Sequence, residues 1–299
     1  MNDTFYVEEQ LKNIIPKAYE AKFPALKAKE IFPVDYSDGN GVDVIEWYSY
    51  GARGIAKIIA SYAAKDIPRV DVDGKKNFIK VFSGGDSFGY SIDDIRKSQR
   101  TGKSLEVSKA TAALRANEEL IERIAFKGDP KFGILGILDH PNIPRFSTLK
   151  SSTNKFAWKD KSAKEKLDDL YAMFNTITKS TNDMETPDSI AWSPDIHNFM
   201  HETPYSDRDA TPIIEIFKKA KPEIKNFFKV PHFSKAGAND SDIVIMFNKD
   251  PEKICLKIPH ETEFLPPQTE GLEQVVYTTL RIAGVVIFMP FSVLIGEGY

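Results

Sequence analysis

The chain has 299 residues, 41% hydrophobic and 28% charged, with a formal net charge of −3. It can therefore bury a sizeable core in one domain or two, and it lacks the basic excess of a dedicated nucleic-acid-binding surface. The single cysteine, Cys255, excludes an internal disulfide framework and fits a reducing compartment.

The N-terminus carries Asp3, Glu8 and Glu9, without the basic start or apolar core of a signal peptide. In residues 1–45, Leu11, Ile14, Ile15 and Tyr19 suggest a short amphipathic helix interrupted by Pro16. Pro24 and Pro33 break the pattern, and Asp38-Gly39-Asn40-Gly41 is loop chemistry. Such an arm has little to cover its apolar residues, so it lies either on its own subunit's core or on a neighbour. Residues 46–90 read as a β excursion, with Asp73-Gly74 as a hairpin turn between strand-like runs from Ile67 to Val81. A two-stranded ribbon is marginal alone in water and leans on another surface.

Ser91-Ile92-Asp93-Asp94 has capping-box spacing and opens a short helix. A longer helix follows from Leu105 to Phe126, about six turns. Val107, Ala110, Leu114, Ile121 and Ile124 form its apolar stripe, widened by Ala113 and Leu120. Arg115, Glu119 and Arg123 stand four apart on the other face, and Gly128-Asp129-Pro130 stops the helix. A short apolar run, 132–138, ends in a turn, and 145–160 is polar and loop-like. Ser162-Ala163-Lys164-Glu165 is a second capping box, with Leu167, Leu170, Tyr171, Phe174 and Ile177 behind it. Ser189–Trp192 reads as a short strand. Ser193-Pro194 and Thr211-Pro212 each open a helix, and 242–247 is a buried strand. Three strand candidates follow, at 254–258, 272–280 and 285–289. The apolar run from Ile282 to Ile295, broken by Pro290, is too short to span a bilayer, and it builds the end of the chain into the core.

Several stretches come close to catalytic motifs. Thr101-Gly102-Lys103-Ser104 lacks the first glycine of a phosphate-binding loop, having Lys97 there, and follows a helix instead of a strand. It reads as an interhelical turn with Ser104 as N-cap. His197 and His201 have the spacing of a two-histidine zinc site, but position 198 is Asn where a metalloprotease has Glu, and His140, His232 and His260 are scattered. Asp71-Val72-Asp73-Gly74 does not have calcium-loop spacing, and Gly84-Gly85-Asp86-Ser87 is too short for a dinucleotide fingerprint. Ser87, Ser193 and Ser241 are not in nucleophile elbows. No catalytic, cofactor-binding or metal-ligating residue is nominated, and no cofactor.

The order of parts carries a resemblance. The run from Asp66-Ile67-Pro68-Arg69-Val70 through Ser91-Ile92-Asp93-Asp94-Ile95-Arg96 into the long helix resembles tailed-phage major capsid proteins. So does the ending Arg281-Ile282-Ala283-Gly284-Val285-Val286-Ile287 followed by Pro290. Their Hong Kong 97-type fold is shared with encapsulins. The resemblance implies an α+β fold with 1–45 an N-terminal arm and 46–90 an extended β-loop. It makes 91–160 a peripheral domain containing the spine helix, 161–250 an axial domain, and 251–299 the return to the peripheral domain. It further implies a structural, non-enzymatic subunit that self-assembles into hexamers and pentamers of an icosahedral shell around double-stranded DNA. The subunit would be made in the host cytoplasm and incorporated in the virion, with scaffolding, portal or decoration proteins as further partners and no membrane. Some relatives crosslink a loop lysine to a neighbour's asparagine. Lys65, Lys75 and Lys76 lie in or near that loop, but nothing identifies the asparagine, and that chemistry is not predicted. An encapsulin-like compartment filled with protein cargo is the nearest alternative. A soluble enzyme with a metal at His197 and His201 is the alternative from another class.

Overall fold

The long helix, Val107–Lys127, is packed on one side and wet on the other. The computed structural model describes residues 27–53, 71–101, 107–150, 158–206 and 209–298. Ala110, Ala113, Leu114, Ile121 and Ile124 are buried, as the apolar stripe requires. Arg115 Nε meets Glu119 at 2.8 Å on the exposed face, a contact worth a few tenths of a kcal/mol. Arg123 instead turns towards Asp129, at 3.8 Å. The helix stops at Gly128, whose φ of +67° begins a tight return through Ile134–Leu135.

A short helix, Lys27–Ile31, docks on this rod. Glu122 accepts a hydrogen bond from the Ala28 backbone N–H at 3.0 Å, Lys29 lies 3.3 Å from Glu118, and Phe32 packs against Phe126 and Phe247. Residues 27–35 therefore lie on their own subunit's core. The amphipathic stretch from Leu11 to Tyr19 lies outside the described residues.

Five strands form a mixed sheet in the order Asn226–Lys229, Ser189–Trp192, Ile243–Phe247, Val293–Glu297, Arg145–Ser147. All five residues of Ile243–Phe247 are buried because both faces of the sheet are covered. Alternation sends Ile243, Ile245 and Phe247 into the core shared with the long helix. Val244 and Met246 enter a second core with the helices Ala163–Ser180, Pro194–Glu202 and Ile213–Ala220. The sheet is thus a common wall between two cores. Two readings change here. Arg145–Ser147, expected as loop, is an edge strand paired in parallel with Val293–Glu297. Val293–Glu297 itself, expected to return with 251–292, joins the middle segment's sheet. Neither pairing has a local sequence signal, because both join residues far apart in the chain.

A second sheet is built on Glu273–Ile282, which pairs with Ser87–Ser91 and Phe82–Gly84 on one side and with His260–Phe264 and Gln268–Glu270 on the other. Where the chain passes between the first two flanking strands, a Cβ on Gly85 would lie 2.1 Å from the Thr278 carbonyl oxygen. Asn117 of the long helix donates to Thr278 Oγ1 at 2.8 Å there, so Gly84-Gly85-Asp86 is a packed joint.

The N-caps form as the sequence indicates. Ser162 and Glu165 make a reciprocal capping box, Ser193 accepts from the Ile196 N–H, and Ser91 accepts from the Asp94 N–H. Within the helix that Ser162 caps, Asp169 is fully enclosed. Its carboxylate accepts hydrogen bonds from Leu149 N (2.8 Å), Trp158 Nε1 (2.7 Å) and Lys161 Nζ (2.5 Å). One buried charge thereby ties both ends of the 149–161 connection to the helix Ala163–Ser180.

A third short sheet pairs Val34–Asp35, Ile254–Lys257 and Gly284–Ile287. Lys257 Nζ donates to Asp35 at 2.6 Å and to Asp38 at 2.9 Å. Burial pushes the Asp35 carboxyl up, but hydrogen bonds from Lys257 and Ser37 outweigh it and hold the group at about 2, below the ordinary 3.8. A depressed carboxylate contributes stability above its unfolded value and loses it as pH falls through the folded value. The melting temperature is therefore expected to fall between about pH 4 and pH 2, and Asp35→Asn to flatten that part of the profile. Thermal scans of both proteins across this window provide the check, and parallel curves would remove Asp35 from the account.

Candidate interaction surface

The ribbon consists of Val44–Arg53 and Asp71–Lys80, paired antiparallel over their whole length. Asp73 and Gly74 stand opposite Gly51 and Tyr50, so they lie inside a strand, and the hairpin turn expected there is displaced. The Asp-Gly signal is local, whereas the upstream strand offers ten ladder positions and wins. The connection at 54–70, with Lys65, lies outside the described residues.

Register divides the ribbon into two faces. The inner face carries Ile45 and Trp47 with Ile79. Trp47 packs edge-on against Phe288 with ring centroids 5.6 Å apart, and Ile45 joins Val81 and Ala283 in a small core. Arg281 adds a 2.5 Å contact to Asp43 at the root. The outer face carries Val44, Tyr48 and Phe78, exposed by 43%, 57% and 63%, interleaved with Lys80 and a 2.8 Å Glu46–Lys76 ion pair. Between ribbon and body runs a groove of about 530 Å³, bordered by Trp47, the 75–80 strand, Phe132, Leu135 and His140. An exposed apolar stripe above a groove marks a site of association, since single chains seldom leave such patches uncovered.

The near-motifs have the following places in the fold. Thr101 ends the helix Ile92–Thr101, and residues 102–106, with the expected Ser104 cap, lie outside the described residues. His197 and His201 share a helix face with their rings stacked 4.3 Å apart. His201 Nδ1 lies 2.8 Å from the His197 carbonyl oxygen. His197 Nδ1 is buried and without a hydrogen-bond partner among the described residues, where a zinc-ligating histidine normally has its second nitrogen held. Burial, then the neighbouring His201, lowers the affinity of His197 for a proton. No group of three metal-binding side chains comes together among the described residues. His232 stacks on Phe126, and His260 bonds Glu263. Burial pushes the Cys255 thiol up to about 11, which disfavours its thiolate form. Lys75 is exposed on the ribbon, and Lys76 is occupied by Glu46.

Comparison with known proteins identifies the family and the fold. Residues 54–298 match the profile of the family described as "Major capsid protein". The capsid of Myoviridae phage XM1 superposes with a TM-score of 0.76 at 11% identity, covering 93% of each chain. A virus-like particle from Pyrococcus furiosus superposes at 0.56 with 16% identity, covering 97% of this chain and 98% of that one. The capsid of an empty GTA particle gives 0.57 at 12% identity, covering 93% and 91%. No curated protein sequence matches.

Proposed function

Because this chain belongs to the major capsid protein family, it is a structural subunit of a virion shell, and we propose that the ribbon is the device by which one subunit grips the next. The observation that carries this is the ribbon's outer face, with Val44, Tyr48 and Phe78 left in water while its inner face is satisfied. Heterologous contacts of that kind close into rings, and rings into shells. Within the subunit, 91–160 with 251–292 form the peripheral part, and 161–250 the axial part, to which the strand Val293–Glu297 adds. The shell consists of hexamers and pentamers around double-stranded DNA, and a scaffold, portal or decoration protein joins it during assembly. Among the described residues no helix is long and apolar enough to cross a membrane.

The double substitution Tyr48→Lys/Phe78→Lys tests the ribbon. Both side chains are exposed, so the circular dichroism spectrum and melting temperature should match the parent, while shells seen by negative-stain electron microscopy and light scattering should disappear. Shells that persist would move the subunit contact elsewhere. A second reading, a shell with protein cargo in place of a genome, is left room by the likeness to a particle described as virus-like and not as a phage capsid. Nuclease-protected DNA in purified shells decides for the genome, and co-purifying protein without DNA decides for cargo.

A further inference from the structure

The loop from Tyr36 to Asp43, between the strand Val34–Asp35 and the ribbon, is fastened at both ends and loose in its middle. At the first end Lys257 Nζ binds Asp35 and Asp38, and the Ser37 N–H donates to Asp35 Oδ1 at 2.8 Å. At the second, Arg281 holds the Asp43 carboxylate, and the Asp43 carbonyl accepts from the Val81 N–H at 2.9 Å. Between them stand Asn40 and Gly41, both exposed and forming the only Asn-Gly step in the sequence. Neither the Asn40 carboxamide nor the Gly41 N–H makes a hydrogen bond among the described residues. Gly41 has a φ of +98°, where side chains are seldom tolerated, so the loop calls for glycine there. A Cβ built on it would meet nothing within 4 Å, so the surrounding space is open. The residue that the turn requires is thus also the one that leaves its nitrogen unshielded.

A carboxamide and a nitrogen nucleophile in adjacent residues, neither held elsewhere, have the advantage of an intramolecular reaction. We infer that Asn40-Gly41 is a site of spontaneous modification, where the carboxamide is lost and a carboxylate appears between the two fastenings of the ribbon root. The Gly41 nitrogen gives up its proton to solvent base and attacks Asn40 Cγ. A C–N bond forms, the bond from Cγ to the side-chain nitrogen breaks, and that nitrogen leaves, with a proton, as ammonia. The cyclic imide then takes up a water molecule and opens at either carbonyl, giving aspartate or isoaspartate. Aspartate adds a negative charge to a loop in which Asp35, Asp38 and Asp43 already share Lys257 and Arg281. Isoaspartate also routes the main chain through the side chain, inserting a carbon between the fastenings. Both products loosen the root of the ribbon. Asn182-Asp183 shows what the fold withholds elsewhere. Asn182 is exposed on a turn as well, but the Asp183 N–H is committed to the Thr178 carbonyl at 2.7 Å.

The test ages the purified full chain under native conditions at mildly alkaline pH, beside Asn40→Gln, whose longer side chain closes a ring less readily. Peptide mapping by mass spectrometry reads the replacement of NH by oxygen, and heavy-oxygen water in the buffer should leave its label at position 40. Conversion should be about tenfold or more faster at Asn40 than at Asn182, and should accelerate as pH rises. Both aspartate and isoaspartate should form, the second detected with an isoaspartyl methyltransferase. A native protein in which Asn40 keeps its carboxamide, or converts no faster than Asn182, overturns the assignment. Melting temperatures supply the second arm. The aged parent should melt below the fresh parent, while Asn40→Gln aged alongside should keep its melting temperature. Equal losses in the two proteins, or no loss in either, would overturn the loosening of the ribbon root.

Discussion

Replacing Asp169 with Ala should lower the free energy of unfolding by about 3–5 kcal/mol, much of what holds an ordinary domain together. The side chains of Asp169 and Lys161 are 0% and 1% exposed, so neither has water to fall back on. Removing the carboxylate strands a buried ammonium group and breaks the hydrogen bonds of two further donors, the Leu149 N–H and Trp158 Nε1. A second cation makes matters worse: Lys166 lies over the Phe199 ring at 3.7 Å, and burial followed by the charge of Lys161 already disfavours its protonated form. Asp169→Asn keeps acceptor capacity for two donors but loses the charge, so it should fall between parent and Ala. Lys161→Met/Asp169→Leu, which removes both charges and keeps most of the volume, should recover a large part of the loss. Urea unfolding of the four proteins provides the comparison. A cost below about 1 kcal/mol for Asp169→Ala would show that the 149–161 connection is not held by this carboxylate.

Gly128→Ala should cost about 3 kcal/mol or more, and Gly133→Ala only about 1–2, although the two glycines have nearly the same backbone angle. Their φ values are +67° and +71°. At Gly133 an added Cβ meets nothing within 4 Å, so only the left-handed conformation is charged for. At Gly128 it would lie 2.3 Å from the Ile134 carbonyl oxygen and 2.5 Å from the Gly136 nitrogen, both backbone atoms unable to step aside. Melting temperatures of the two variants separate the contributions, and equal shifts would mean that the return after the long helix tolerates movement.

The features the sequence announced are those whose causes are local. The stripe from Ala110 to Ile124, the caps at Ser91, Ser162 and Ser193, and the uniformly apolar Ile243–Phe247 each follow from residues within one or two turns of one another. The pairings were less legible. Asp73-Gly74 carries the dipeptide of a tight turn, but the ribbon's register is set by contacts at its root, among them Trp47 on Phe288 and Arg281 on Asp43. Short strands such as Arg145–Ser147 and Asn226–Lys229 gain their identity from parallel neighbours 37 to 150 positions away in the chain. The surfaces follow the same division. That the ribbon needed covering was visible in its composition, whereas the face left uncovered depends on register.

The wall between the two cores also sets a condition on synthesis. Its fourth strand, Val293–Glu297, lies between Ile243–Phe247 and Arg145–Ser147, so both neighbours wait for it. Until it pairs, the long-helix core and the core of the middle segment are each open along the same sheet edge. Folding is therefore completed after translation of this strand instead of domain by domain. Without it, Ile243–Phe247 keeps an unpaired edge and Arg145–Ser147 has no strand to pair with. Both cores thus close together, on one strand.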